Sequence, residues 1–545
     1  MIKKILNLNN HISSSITSAA FLITATGLVS RVLGLFRDRL LASTFGAGDT
    51  LDVYYAAFRV PDLIYNLLIV GALSSAFIPV FAALLSNDKE EEAWDMANGI
   101  MNLALCFIVA FSAVFAIFTP FIMKALTPGF SPDKLAQVVF FTRIMFLSPI
   151  LLGISGILGG ILTSYKRFLT YSLAPIFYNA GIIFGILVLV KIMGPIGLAW
   201  GVVCGGFLHL LSQHLFVGQL GFRHKWSLVA SLSNREVRKV FTLMIPRTMG
   251  IAVNQINLFV ITIFASLLAS GSLGVFNLAQ NLQSVPLGLV GISFAMAVFP
   301  TLSSLFAQKK NEEFVNAFSE TFRQIIFFVI PLSVFMILLR AQIVRVVLGA
   351  GKFDWEDTTL TFQCLEIFAF SLFAQSVTPL LARAFYAMHN TKTPFYIALI
   401  SEAVNILAVI ILIGKYQILS LAIAFSLAAI VQMFLLLFAL RMEFDNLDDR
   451  RIIISVGKVV GATFFAGLTV QLFKYLMSSI VDLERFVGVF SQLAVSSIAG
   501  ILVFIIVAHL LKMEEYIYLR KSLNRRLFRK KQLILEEDTS EISGI

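Results

Sequence analysis

Apolar runs of bilayer-crossing length follow one another from residue 14 to residue 511, and no polar stretch between them exceeds about 35 residues. A helix needs about 20 mostly apolar residues to cross the hydrocarbon core. Hydrocarbon offers backbone N–H and C=O groups no partner, so each run must satisfy its own, as a helix does. Gly/Pro clusters and charges punctuate the series into roughly 14 spans. Their expected limits are 14–36, 50–85, 93–119, 136–163, 168–190, 196–218, 236–268, 272–306, 313–339, 358–387, 394–413, 417–440, 452–477 and 487–511. With 58% hydrophobic and 13% charged residues, the chain is too apolar for a soluble fold. The expectation is an all-α polytopic membrane protein with no separate domain outside the membrane.

Lysines and arginines orient the spans. With the amino terminus in the cytoplasm, inner segments hold roughly 25 of them and outer loops about 10. The inner set includes Lys166, Arg167, the run from Arg223 to Lys239, Lys309, Lys310, Arg450 and Arg451. The exception is the segment with Arg340, Arg345 and Lys352, read as an amphipathic outer loop. Both termini are expected in the cytoplasm. The net charge of +11 then follows from orientation, and the basic tail beyond residue 511 suits anionic lipid headgroups rather than nucleic acid. Met1 to His11 is polar and precedes no small-residue cleavage site, so the first apolar run is expected to remain as a span. Cys106, Cys204 and Cys364 lack ligand spacing and read as small core residues; no metal or cofactor is expected.

An internal repeat shows in the prolines. Val60-Pro61, Gly71 and Pro79 on the second span match Val285-Pro286, Gly291 and Pro300 on the eighth. The fourth and tenth spans lead into Tyr165-Lys166-Arg167 and Tyr386-Ala387-Met388, and the next spans open near Pro175 and Pro394. Spans 1–6 and 7–12 thus read as two pseudo-symmetric six-helix lobes in one orientation, with two further spans added. The expected divisions are 1–228, 229–441, 442–511 and a basic tail, 512–545. Parallel repeats place a transport path between the halves.

Charge at bilayer depth costs several kcal/mol unless it pairs or faces water. The stretch from Ser30 to Pro79 nevertheless carries Arg31, Arg37, Asp38, Arg39, Asp52, Arg59 and Asp62. On the second span Asp52, Arg59, Asp62 and Asn66 fall at i, i+7, i+10 and i+14, a stripe about 80° wide, as on a helix that lines water. Arg59 and Asp62 are spaced to pair at i, i+3; the structural alternative is a pair that only holds the Pro61 kink. On the first span Arg31 and Asp38 share a face while Arg37 points elsewhere, and the alternative for Arg31 is snorkelling to the outer interface. Arginine's planar fork suits phosphate oxygens, so two or three converging arginines would make a diphosphate site. In the second half the candidates are Glu366, Arg383 and Glu402, with amides at Asn254, Gln255, Asn257, Asn277, Gln280, Asn281 and Gln283. Those amides read equally as helix glue or as substrate contacts. Glu402 is the best proton or cation candidate there, a neutral buried acid being the alternative.

SRVLGLFRD at Ser30–Asp38, FGAG at Phe45–Gly48 and the segment ending GALSSAFIP resemble the MurJ (MviN) family. These are bacterial lipid II flippases of the multidrug/oligosaccharidyl-lipid/polysaccharide exporter superfamily. QIN at Gln255–Asn257, GKF near Gly351 and NTKTP at Asn390–Pro394 extend the resemblance along the chain. It implies a cationic central cavity that takes a diphosphate–sugar–peptide headgroup from the cytoplasmic leaflet and releases it outside, by alternating access of the lobes. Ser30, Arg31, Arg37 and Asp38 match the family's first-span motif, Asp52 the acid that opens its second span, and Arg59 stands where Lys is frequent. On this reading Ser30, Arg31, Arg37, Arg59 and Asn281 bind substrate, while Asp38, Asp52, Asp62 and Glu402 gate it or partner the charges. The last two spans resemble those that form a groove for the polyprenyl tail.

Four positions depart from the family. Tyr65 and Asn281 replace usual arginines, Val70 replaces an acid, and Ile261 stands where some relatives carry an acid, which weakens sodium coupling through the second lobe. The resemblance implies a monomeric, non-enzymatic lipid II flippase of the bacterial inner membrane. The alternatives are export of another polyprenyl-linked glycan or of an amphipathic drug, and a membrane enzyme acting on polyprenyl-phosphate sugars. A drug exporter would favour buried acids over arginines. An enzyme would need clustered acids or histidines near a span end, and the six histidines are scattered.

Overall fold

The structure, a computed structural model, describes residues 16–67 and 76–521, without the side chains of residues 16–21, 243 and 245–254. Val70 lies outside the described residues. The first half comprises α1 (Ile16–Phe45), α2 (Asp49–Tyr65), α3 (Ile78–Ser86), α4 (Glu90–Leu126), α5 (Pro132–Met145), α6 (Leu147–Ser164), α7 (Phe168–Phe184) and α8 (Gly197–Val217). A short α9 (Leu228–Ser233) leads to α10 (Arg235–Ser266), α11 (Ser272–Pro286), α12 (Ser293–Ala307), α13 (Asn311–Leu338), α14 (Arg340–Val347) and α15 (Trp355–Ala387). The series closes with α16 (Lys392–Tyr416), α17 (Ile418–Glu443), α18 (Asp449–Ser478) and α19 (Phe486–Leu510). No strand occurs among the described residues. Most helix ends fall within four residues of the expected limits; α1 and α4 run further, to Phe45 and Leu126. The segment with Arg340 and Arg345, expected as an outer loop, is helical, as α14.

Local chemistry sets these limits. Asn234 accepts the amides of Glu236 and Val237 at 2.9 and 3.1 Å and starts α10. Ser131 accepts the Lys134 amide, with Pro132 in the first turn of α5. Pro61 and Pro286 each precede a π-helical turn, at residues 66–67 and at Leu287–Ile292, where the broken backbone ladder is re-formed with a longer step. Ten segments among the described residues are long and apolar enough to cross a membrane. One of them, Phe168–Leu220, runs 53 residues and is interrupted at Gly194.

The repeat is written in the backbone. Left-handed residues end matching turns at Gly46 and Gly271, Asp88 and Lys309, Lys166 and His389, and Gly194 and Gln417, pairs 221 to 225 positions apart. Five of the eight are not glycine and rarely adopt this conformation, and the similar spacing is what a repeated plan would give.

The chain divides into two compact units. One comprises Met1–Leu282, Val347–Thr361 and Ile406–Leu421; the other comprises Gln283–Val346, Phe362–Asn405 and Ala422–Ile545. In the first unit α7, its π-helical continuation Gly185–Leu189 and α8 pack through Gly181, Gly185, Gly197, Gly201 and Gly205. A Cβ on Gly181 would sit 2.3 Å from Gly205 Cα, and one on Gly185 2.4 Å from Gly201 Cα. Small residues every fourth position let two helix backbones meet where lipid offers no hydrophobic drive. In the second unit α13, α18 and α19 enclose Phe327, Phe335, Val459, Ala462, Ala466, Val470 and Phe504. Both terminal helices also present large apolar side chains outward, among them Phe464, Phe465, Val487 and Ile506, as lipid-facing helices do.

Candidate functional site

Every ionisable candidate of the first two spans lies in the first unit, on α1 and α2. Arg37 forks onto its neighbour: Nε and Nη2 donate to Asp38 Oδ1 at 3.1 and 2.8 Å, and Nη1 donates to Asn179 Oδ1 of α7 at 3.1 Å. The expectation that Arg37 points away from Asp38 is thereby corrected. Both residues adjust their long rotamers to one polar spot, which helical phase alone does not encode. Asn179 turns its amide nitrogen to the Ser30 carbonyl and hydroxyl, each at 3.4 Å. Asp38 is 2% exposed, and its Oδ2 accepts from Asn281 Nδ2 at 2.9 Å. Ser30, Arg37, Asp38 and Asn281 thus form one network through Asn179, with the buried charges paired. Arg31 lies half-buried on α1 with contacts of its own.

Arg59 is held differently. It is 6% exposed, and its Nε donates to Thr262 Oγ1 at 2.8 Å and its Nη2 to Asn277 Oδ1 at 3.0 Å. No carboxylate of a described residue lies within 4.0 Å of it, so the expected Arg59–Asp62 ion pair is not formed. The guanidinium reaches across to α10 and α11 instead, where two neutral oxygens receive it. Thr262 and Asn277 also donate to Leu258 O and Leu273 O in their own helices. Asn277 and Asn281, one turn apart on α11, therefore hold Arg59 and Asp38 respectively. Asp62 is half-buried and lines a small cleft with Phe58, Pro61, Tyr65, Met145, Ser148, Pro149, Leu152 and Val202.

Asp52, 2% exposed, anchors the start of α11. Its Oδ2 accepts the Gly271 amide at 2.8 Å and Lys134 Nζ at 2.7 Å, and its Oδ1 accepts the Gly274 amide at 2.9 Å. A carboxylate satisfies amides that a helix start leaves open and complements the dipole there. Gly271 has φ +86°, and a Cβ on it would fall 1.6 Å from Ala47 O, so only glycine fits this approach. Lys134 also reaches Asp49 at 2.6 Å and lies over the Phe130 ring at 4.2 Å. Hydrogen bonds from Lys134 and from Ser270 hold the Asp49 carboxyl below its usual range. Sequence reasoning missed Lys134, Asn179 and Thr262. None has a local signature, because each acts on a residue 82 or more positions away.

Of the second-half candidates, Gln283, Glu366, Arg383 and Glu402 lie in the second unit, and the amides from Asn254 to Asn281 lie in the first. Glu402 is 8% exposed, and Asn405 Nδ2 approaches its Oε1 at 3.4 Å. Glu366 pairs with Arg340 at 3.0 Å. Gln283 donates to Gln375 at 2.6 Å, and Gln375 to Ser371, which binds Ser426. For Gln283 the amide is helix glue. Tyr65 is half-buried in the cleft with Asp62, and Ile261 is buried. No group of three or more metal-ligating side chains occurs among the described residues.

The sequence model described as Lipid II flippase MurJ matches residues 41–511. The chain belongs to the MurJ family. A probable lipid II flippase MurJ of Buchnera aphidicola subsp. Acyrthosiphon pisum is 30% identical over 417 residues, covering 75% of this chain and 80% of that one. One from Bdellovibrio bacteriovorus is 30% identical over 433 residues, 77% of this chain and 81% of the relative. A solved lipid II flippase MurJ in an inward closed conformation aligns with TM-score 0.75 and 25% identity, covering 90% of this chain and 98% of that structure. An inward-facing multidrug resistance MATE family transporter of the MOP superfamily shares the fold, with TM-score 0.65 and 12% identity over 79% of this chain and 99% of its own. The protein is therefore an all-α, multi-pass membrane protein of a transporter family, with the MurJ fold.

Proposed function

We propose that this MurJ-family protein carries lipid II from the cytoplasmic to the outer leaflet of the bacterial inner membrane by alternating access, for cell-wall synthesis. Family membership over residues 41–511 supports the cargo. The observation that carries the site assignment is Arg59, a buried guanidinium cradled by neutral oxygens, with no carboxylate of a described residue within 4.0 Å. Its Nε and Nη2 are engaged by neutral oxygens, and a guanidinium so held suits a diphosphate oxygen in charge and geometry. Arg31 supplies further positive charge, and Arg37 adds guanidinium donors whose charge Asp38 balances. Ser30 and Asn281 order the Arg37–Asp38 pair, Asp52 fixes α11, and Glu402 is the candidate acid of the second half. In this reading the lobes are 1–228 and 229–441, residues 442–511 take the lipid tail, the 14 spans leave both termini in the cytoplasm, and the protein acts as a monomer without enzymatic chemistry. The membrane potential can assist by about 2.3 kcal/mol per charge per 100 mV.

A second reading, export of a variant polyprenyl-linked glycan, is favoured by Asn281, a neutral amide bound to Asp38 at a position where the family resemblance implies arginine. One experiment separates the two. A bacterium depleted of its own flippase is supplied with this protein and its inner-leaflet lipid II is measured. Clearance of the accumulated lipid II supports the first reading; undiminished accumulation with normal membrane insertion refutes it.

A further inference from the structure

Asp62 is used by nothing described so far. Among the described residues no hydrogen bond or ion pair to its carboxyl forms, although it sits half-buried in the last turn of α2 against an apolar cleft of the first unit. Phe58, Pro61, Met145, Pro149, Leu152 and Val202 wall its cleft, and only Tyr65 and Ser148 add hydroxyls. An isolated carboxylate in such surroundings is costly, whereas a neutral carboxyl is tolerated. The three side chains with oxygen supply at most half of the roughly six ligands a divalent ion takes, leaving the rest to main-chain carbonyls or water. A proton needs one.

We propose that Asp62 is a proton-binding site that is loaded and emptied during the transport cycle. The proton passes between water in the cleft and one carboxyl oxygen, with no other bond made or broken. The groups that bear on it electrostatically are Arg59, Tyr54 and Tyr65 on its own helix and Tyr178 on α7. The Arg37–Asp38 pair, next along, is neutral as a unit. From α5 and α6 the cleft receives Met145, Ser148, Pro149 and Leu152, none of which titrates near neutrality. Arg59 lies three positions before Asp62, one helical turn away. While Arg59 is unoccupied, its charge favours the ionised carboxyl; an anion on Arg59 cancels that charge and favours the proton. Loading of an anionic headgroup and uptake of a proton at Asp62 are thereby linked, and the linkage is reciprocal. This link rests on the diphosphate reading of Arg59; the proton site itself does not.

Infrared difference spectra of the full chain in lipid nanodiscs, recorded against pH without cargo, test the site. The expected result is a protonated-carboxyl band that fades as pH rises, is lost in Asp62→Asn, returns shifted in Asp62→Glu, and ignores sodium at fixed pH. A band that persists in Asp62→Asn, no such band at any pH, or displacement by sodium overturns the proposal. Calorimetry with a polyprenyl diphosphate in two buffers of different ionisation enthalpy then tests the link. Net proton uptake is expected in the wild type and none in Asp62→Asn. Binding without uptake in the wild type overturns the link. Absence of binding beside an intact infrared band counts against the diphosphate reading, and against the link with it, while the proton site stands.

Discussion

Removing the Asp52 carboxylate tests how the start of α11 is held. Asp52→Ala deletes acceptors for Lys134 Nζ and for the Gly271 and Gly274 amides, all between 2.7 and 2.9 Å. Losing one partner of a buried charge pair costs about 3–5 kcal/mol. Lys134 keeps Asp49, so the cost falls at the low end, about 3 kcal/mol. Lys134→Ala leaves Asp52 with its two amides and costs less, about 2 kcal/mol. In a double-mutant cycle the two changes should couple by about 1.5 kcal/mol, because they share one interaction. The assay is equilibrium unfolding of the purified protein in mixed micelles. A coupling below about 0.5 kcal/mol would refute the claim that Lys134 and Asp52 act as a pair. The same background predicts an acid sensitivity. The folded Asp49 carboxyl lies below its unfolded value, so its contribution is complete above that value, near pH 3.9, and disappears as pH falls through the folded one. With Asp52 gone, Asp49 is the remaining described partner of Lys134, and the acid limb of the stability curve should steepen relative to Asp52→Ala/Asp49→Asn.

Two more outcomes follow from packing and charge. Gly181→Ala forces a methyl against Gly205, 2.3 Å from its Cα, and should destabilise by about 1–3 kcal/mol, read as a lower melting temperature in detergent. Arg37→Ala strands a carboxylate that is 2% exposed and should cost about 3–5 kcal/mol in the same assay. Arg37→Ala with Asp38→Asn should recover most of that stability, and equal loss in both variants would contradict a charge-pair role.

The spans were legible because lipid imposes one rule on every helix, and the repeated prolines pointed to a duplication with which the spacing of the left-handed residues agrees. The first two spans were also recognisable as polar. What their side chains grip was not. Helical phase set Arg59 and Asp62 on one stripe, yet a long guanidinium reaches sideways as easily as along its helix, and Thr262 and Asn277 lie more than 200 positions on. Arg37 was misdirected for the same reason. The role of Asp52 depends on Gly271, whose close approach to Ala47 appears only once distant backbone segments are packed.

The account rests on Arg59 as the anion-binding group of a lipid transporter, and stability and transport part company there. Arg59→Ala removes a buried cation that makes no ion pair with a described residue and leaves Thr262 and Asn277 bonded to their own helices. The variant should therefore insert and melt close to the wild type. The decisive measurement is the fraction of lipid II reaching the outer leaflet in flippase-depleted cells carrying Arg59→Ala or Arg59→Lys. Near-complete loss with Ala and partial retention with Lys is predicted; wild-type transport by a stably inserted Arg59→Ala would contradict the account.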